Sequence, residues 1–336
     1  MKAYVIRKGT TTLEGLQQIE RPTPQPGPRE ILIRIRATSL NFREHLILTG
    51  HYVGGPVDHD TIPMCDGAGE VVAVGPGVTR FKVGDRVTST FFQCWIDGPP
   101  DGHIPALGSP LDGTLAEYVV LQEDGAVAIP QNLSFEEAAT LPCAAVTAWN
   151  ALMVAGRQVK PGETVLSLGT GGVSIFALQF ARAAGAHVIV TSSSDEKIQR
   201  ARTLGAAQGI NYKRYPDWEK KVLELTGGRG VDYIIETGGI GTLARSYEAV
   251  AYGGKIALIG VLAGPGEANP VVMMLKGATM NGIYVGSRAM QEQMNRAMEV
   301  NQIKPVIDKV FPFDKAPDAW RTLASGAFFG KIVIQI

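Results

Sequence analysis

The sequence predicts an α/β protein in which a β-rich domain precedes a doubly wound parallel sheet. Three observations predict it. Up to about residue 125 the apolar segments are short, β-branched and broken by turn residues. From Ser134 onward, strand-like and helix-like segments alternate for about 100 residues, the signature of βαβ units. Glycine is in excess, 40 of 336 residues, about 12% against a usual 7%, and such an excess implies many turns and close backbone approaches.

Taking the elements in order, residues 1–6 read as a first strand, with no long apolar run behind it to make a signal peptide. The Pro-rich run 22–28 reads as a loop. Residues 31–37 alternate, with Ile31, Ile33 and Ile35 on one face and Arg34 and Arg36 on the other, as in a half-buried strand. Segments 71–74 and 86–88 are further strands between glycine turns. Ser134 is an N-cap candidate with Glu136 and Glu137 behind it. Then strands are expected at 164–168, 187–191, 208–212, 231–236 and 255–260. Helices are expected at 169–184, 195–204, 217–225 and 242–250. A last helix at 291–301 and a closing strand at 331–336 complete the chain. The strands of this second part are apolar nearly throughout, as a sheet covered on both faces requires.

Composition narrows the function. Thirty-two basic residues balance 32 acidic ones, which removes the usual argument for nucleic acid or an anionic membrane as the main partner. The three cysteines, Cys65, Cys94 and Cys143, are widely spaced without a CxxC pair. That fits neither a disulfide framework nor a structural zinc site. No stretch approaches the roughly 18 apolar residues of a membrane span. A soluble cytoplasmic protein acting on a small molecule is the expectation.

The most informative stretch is Thr164-Val165-Leu166-Ser167-Leu168-Gly169-Thr170-Gly171-Gly172-Val173-Ser174. A strand runs into a glycine turn and then a helix. Gly169 permits the turn, Gly171 lets backbone approach a pyrophosphate, and the helix N-terminus offers N–H groups to the anion, with Thr170, Gly172 and Val173 completing the cradle. Ser174 takes the third glycine's place, where a small residue keeps helix and strand close. A bare glycine pattern also fits a structural turn, but this one sits at the first strand–helix junction of the series.

An NAD site usually carries an acid at the tip of the second strand. Here that strand ends in Ser192-Ser193-Ser194. Hydroxyls donate to a phosphate, and Lys197 and Tyr212 can converge on the same spot, which favours NADP(H). Lys197 alone also reads as an ordinary solvated helix residue. Asp195 argues the other way, unless it caps the helix.

At this point the chain is identified as resembling the medium-chain dehydrogenase/reductase superfamily, on its zinc-independent quinone oxidoreductase-like side. The resemblance runs over nearly the whole length. It rests on Asn41-Phe42-Arg43-Glu44, Gly75-Pro76-Gly77-Val78, Phe81-Lys82-Val83-Gly84-Asp85-Arg86-Val87, Gly113-Thr114-Leu115-Ala116-Glu117-Tyr118, Thr147-Ala148-Trp149, the glycine loop, Gly253-Gly254-Lys255 and Gly330-Lys331-Ile332-Val333. It implies a GroES-like β-rich catalytic domain (residues 1–130 and 291–336) and a Rossmann dinucleotide-binding domain (131–290), with the active site in the cleft between them, and a homodimer paired through residues 280–285.

By the same resemblance, Asn41 and Glu44 stand where quinone-reductase-like members keep polar active-site residues. Asn41 would donate to a carbonyl, and Tyr52 would bond substrate or relay a proton. Glu44 reads equally as half of a buried salt bridge with Arg43 or Arg34, and Tyr52 as a wall residue. Thr147 would contact the nicotinamide end or bond its own helix. Glu236-Thr237-Gly238-Gly239, Gly260 and Val261 would form cofactor walls, and Gly286, Ser287 and Arg288 would approach the nicotinamide half. Phe329 and Lys331 would close over the cofactor, and Phe91, Phe92 and Trp95 would wall a pocket.

The zinc ligands of alcohol dehydrogenases are not matched. Their first position falls at Asn41, and their His-Glu pair at Cys65-Asp66. Residues 91–102 offer only Cys94 where four cysteines would hold a structural zinc. A site from Cys65, Asp66 and His45 or His51 stays open. Without a Lewis acid, the acceptor must already be electrophilic: a quinone or an α,β-unsaturated carbonyl, whose added charge spreads onto a distant oxygen. The expectation is an NADPH-dependent, metal-independent oxidoreductase. The alternatives are a zinc-dependent alcohol dehydrogenase with atypical ligands, or a non-catalytic NADPH-binding protein.

Overall fold

At the end of the eleven-residue strand Glu30–Leu40, Leu40 lies opposite Ile332 and Ser39 opposite Asp66, near the starts of two neighbouring strands. The computed structural model describes residues 1–102, 104–260 and 262–336. They form two units, Met1–Val146 with Gly286–Ile336, and Thr147–Val285. Residues 131–146 and 286–290 therefore lie with the first unit, so its boundaries differ from an expected division at 130 and 291.

In the first unit, seven strands form one sheet. Its path runs Ile307–Pro312, Lys331–Gln335, Glu30–Leu40, Asp66–Val74, Arg86–Ser89, Ala126–Ala128, and Tyr118–Gln122 pairs with Glu30–Leu40. Lys2–Ile6 and Leu16–Glu20 form a separate antiparallel pair. The long strand is antiparallel to all three of its partners, with Ser39 opposite Asp66 and Leu40 opposite Ile332. The alternation read in 31–37 is only partial: Ile31, Ile33 and Ile35 are buried and Arg34 is exposed, but Leu32 is buried too. The helix expected at 291–301 starts earlier, at Arg288 (Arg288–Val300), because Ser287 Oγ accepts from Met290 N and caps it there. Two helices were not expected: the short Phe42–Leu48, and Ala316–Ser325, whose buried Ala316, Ala319, Trp320 and Leu323 fall at helical spacing.

In the second unit, six parallel strands run in the order Gln208–Asn211, His187–Ser192, Thr164–Ser167, Val231–Glu236, Val250–Leu258, Thr279–Gly282. Numbered along the chain this is 3-2-1-4-5-6. The order reverses between the first and fourth strands, and ligands bind outside the carboxyl ends of strands at such a reversal. Leu166, Ile189, Ile234 and Ile256 pack with Trp218, Val222 and Tyr247 of the connecting helices. Each buried aliphatic side chain there contributes about 1.5–3 kcal/mol. The helix expected from 169 begins only at Gly172 (Gly172–Ala183), since Gly169 is spent on the turn at φ +79°. Among the described residues no helix is long and apolar enough to cross a membrane.

Candidate active site

The strand register explains the polar cluster of the first unit. Asn41 follows Leu40, Asp66 opens one neighbouring strand and Lys331 the other, so the three residues meet. Lys331 Nζ donates to Asn41 Oδ1 at 2.6 Å and Leu40 O at 2.8 Å, and lies 3.3 Å from Asp66 Oδ2. Asn41 Nδ2 donates to the same carboxylate oxygen at 2.9 Å and points at Cys65 Sγ, 3.6 Å away. Glu44 reaches back to accept from Asn41 N at 2.8 Å, the return half of a capping box. Its other oxygen accepts from Cys65 Sγ at 3.3 Å and lies 3.5 Å from Arg43.

Burial sets the protonation tendencies. Glu44 and Asp66 are fully buried, and desolvation raises both carboxyls above their usual range, against the pull of Arg43 on Glu44 and of Lys331 on Asp66. The buried Cys65 thiol is pushed well above its ordinary value by desolvation, with Cys143 and the two carboxylates adding to it. The salt bridge of Glu44 with Arg43, one of its two expected readings, is present, and Asn41 is half-exposed at the edge of the cluster.

Tyr52 lies just past the helix Phe42–Leu48, where its backbone N–H donates to Leu46 O at 3.1 Å. The Arg43 guanidinium sits between two rings, 4.9 Å from the centroid of Tyr52 and 5.0 Å from that of Phe91. Phe91, Phe92 and Trp95 are all buried; Phe92 meets Phe91 edge to face at 4.6 Å and Trp95 at a tilt at 5.7 Å.

In the second unit the glycine turn is held from three sides. Ser174 Oγ donates to Leu168 O at 2.6 Å, Thr237 Oγ1 donates to the same carbonyl at 2.8 Å, and Gly169 N donates to Thr191 Oγ1 at 3.0 Å. Ser174 thus does with a hydroxyl what the third glycine of the motif does by being small. A Cβ at Gly171 would meet nothing within 4 Å. Gly171 is the N-cap of Gly172–Ala183, and the first N–H groups of a helix have no partner within it.

At the tip of His187–Ser192, Ser192 is buried and its Oγ accepts from Ser194 N at 3.3 Å, while Ser193 is half-buried. Ser194 Oγ accepts from Lys197 N at 3.3 Å, so Ser194 is the N-cap of Asp195–Thr203. Asp195 lies in that first turn without being the cap. Its carboxylate is taken instead by Asn211 Nδ2 at 2.8 Å and by the Arg214 guanidinium. Lys197 is half-buried and Tyr212 is 41% exposed.

The remaining expected residues fall as follows. Thr147 is buried. A Cβ at Gly260 would lie 1.9 Å from Thr237 O, so only glycine fits that approach. Val261 lies outside the described residues. Gly286 packs on Val146 and Met290, Ser287 serves as the helix cap, and Arg288 NH1 bonds Asp124 Oδ1 at 2.6 Å. Phe329 is buried and Lys331 belongs to the polar cluster. Glu236 anchors its turn by accepting from Gly238 N, Gly239 N, Thr242 Oγ1 and Ser246 Oγ.

Sequence reading passed over Cys143. Cys65, Asp66 and Cys143 bring ligand atoms within 4.8 Å of one another, and among the described residues neither His45 nor His51 joins them. His51 Nδ1 is instead 3.1 Å from Thr49 Oγ1. The trio is nonetheless a poor match to a divalent ion. The Asn41 amide aims its protons at Cys65 Sγ and Asp66 Oδ2, and the Lys331 ammonium occupies the same carboxylate.

Comparison with known proteins adds the context. Residues 27–131 match the alcohol dehydrogenase GroES-like domain, and residues 172–300 match the zinc-binding dehydrogenase model. The zinc-type alcohol dehydrogenase-like protein C1773.06c of Schizosaccharomyces pombe is 44% identical over 342 residues, covering 99% of each chain. A quinone oxidoreductase of Pseudomonas aeruginosa is 32% identical, covering 96% of this chain and 95% of that one. The crystal structure of an NAD-dependent alcohol dehydrogenase superposes over the whole of both chains with a TM-score of 0.91 at 35% identity.

Proposed function

Since this chain belongs to the medium-chain dehydrogenase/reductase superfamily of oxidoreductases, we propose that it is an NADPH-dependent reductase of quinones or α,β-unsaturated carbonyls that works without a catalytic metal. One observation carries the reading: Asn41 and Lys331 hold Asp66 and Cys65 by hydrogen bonds where a metal ion would need those atoms free. The quinone oxidoreductase relative supports the substrate class.

The open face at Gly171 and the amides beside it would take the pyrophosphate, and Ser192, Ser193, Lys197 and Tyr212 the 2′-phosphate. Asp195, whose charge would repel that phosphate, is paired with the Arg214 guanidinium and accepts from Asn211 Nδ2. The bound nicotinamide supplies the hydride. The residues of this chain bind, orient and handle the proton: Asn41 Nδ2 keeps its 2.9 Å bond to Asp66 and turns its other proton from the 3.6 Å contact with Cys65 Sγ to the acceptor's carbonyl oxygen, and Tyr52 Oη delivers a proton to the enolate that hydride addition leaves. Glu44 fixes the Asn41 backbone and so aims its amide.

Stopped-flow mixing with NADPH and a panel of quinones and enals tests the reading. Cofactor oxidation with conjugated acceptors, and none with simple aldehydes, is expected; silence toward every conjugated acceptor defeats it. A metal-dependent alcohol dehydrogenase is the second reading, favoured by the proximity of Cys65, Asp66 and Cys143 and by the name of the fission-yeast relative. Stoichiometric zinc in the purified protein would establish it in place of the first. We also propose a homodimer through the edge strand Thr279–Gly282, where Met280 and Tyr284 are exposed; light scattering at the mass of one chain would refute it.

A further inference from the structure

Arg43 does more in the first unit than pair with Glu44. It is 8% exposed, yet it keeps a guanidinium inside. NH1 donates to Leu107 O at 2.9 Å and NH2 to Ser109 O at 2.7 Å. The same group hydrogen-bonds the Tyr52 side chain and lies against its ring. It also lies 5.0 Å from the ring of Phe91, whose carbonyl accepts from Leu107 N at 3.2 Å. Glu44, Cys65 and Tyr52 are the titratable groups that face it; burial works against its charge, and these three more than offset that. One side chain therefore fastens the segment that carries Tyr52 to residues 107–109.

We propose that Arg43 is the positioning residue for Tyr52: its guanidinium, fixed by the carbonyls of Leu107 and Ser109, holds the phenol in the orientation from which it gives up its proton. The inference rests on the reading of Tyr52 as proton donor. In that step hydride adds to the β-carbon of the acceptor, the electron pair moves onto the carbonyl oxygen, and the enolate takes the proton from Tyr52 Oη. The phenolate left behind faces the guanidinium until solvent returns a proton. A fixed planar cation with several donors suits this task, and a lysine ammonium on a flexible stem does not reproduce it.

The test is steady-state and pre-steady-state kinetics with NADPH and a benzoquinone on R43K, R43A, Y52F and the R43K/Y52F pair. Expected are a kcat of R43K lowered roughly 10–100-fold, an unchanged KM for NADPH, and a larger D2O effect on turnover. Partial recovery of R43A by added guanidinium ion and a double variant no slower than Y52F are also expected. A fold defect would move none of the last three. Wild-type kcat in R43K, or losses that multiply in the double variant while Y52F alone is impaired, overturns the inference and leaves the proposed reaction standing. Full turnover by Y52F overturns the proton-donor reading and this inference with it.

Discussion

Lys331 Nζ and Asp66 Oδ2 form an ion pair at 3.3 Å in which the side chains are only 3% and 0% exposed. The pair joins the last strand of the chain to one that begins 265 residues earlier. Such a pair is a poor source of net stability but an expensive one to break, because removing one partner leaves the other as an uncompensated buried charge.

Lys331→Met should therefore cost about 3–5 kcal/mol, and adding Asp66→Asn should return part of the loss. Urea unfolding of the single and double variants measures both. A single variant as stable as the wild type would show that Asp66 is neutral or hydrated in the folded protein.

The space in front of Gly171 predicts a separation of folding from binding. The Cβ added by Gly171→Ala meets no atom within 4 Å, so the melting temperature should stay close to the wild-type value. The side chain would stand where the pyrophosphate belongs, and NADPH affinity should fall at least tenfold, about 1.4 kcal/mol. Gly169→Ala, at φ +79°, should do the reverse and cost about 1–2 kcal/mol of stability. Thermal melts beside a fluorescence titration decide it.

The adenosine end predicts a difference between cofactors. Lys197→Ala removes a cation from the proposed 2′-phosphate site, so NADPH binding should weaken by about 1.5–3 kcal/mol while NADH binding changes little. Equal losses for the two nucleotides, or a wild-type preference for NADH, would sink the assignment.

Lys255 predicts a pH dependence of stability. Its ammonium is buried against the carbonyls of Ala151, Ala155 and Arg157. Desolvation, aided by the Arg157 charge, pushes its pKa down to about 8 from the ordinary 10.5. Between those values the unfolded chain holds a proton that the folded chain has released, so stability rises with pH in that window. Relative to Lys255→Met, unfolding free energy should climb from pH 8 to 10 and be flat below. A parallel course for the two proteins would mean that Lys255 titrates alike folded and unfolded.

What was legible in the sequence was local. Unbroken apolar runs between helical segments marked the strands of the parallel sheet, because a strand buried on both faces must be apolar throughout. The glycine turn showed itself because only glycine sits easily at φ +79°, and Ser134 disclosed a helix start through its own side chain, which accepts from Glu137 N. Asn41 and Glu44 stand three residues apart, and one helix start holds them together. What only the tertiary structure decided depends on pairing between distant segments. Ser39 opposite Asp66 and Leu40 opposite Ile332 are matters of register, and a slip of one residue would turn the same side chains to the other face. That register brings Lys331 to Asp66 and Asn41, and folding likewise sets Cys143 beside Cys65 and carries Arg43 to Tyr52 and Leu107. No residue's neighbours along the chain reveal such meetings, because the free energy that selects them comes from burying whole strands together.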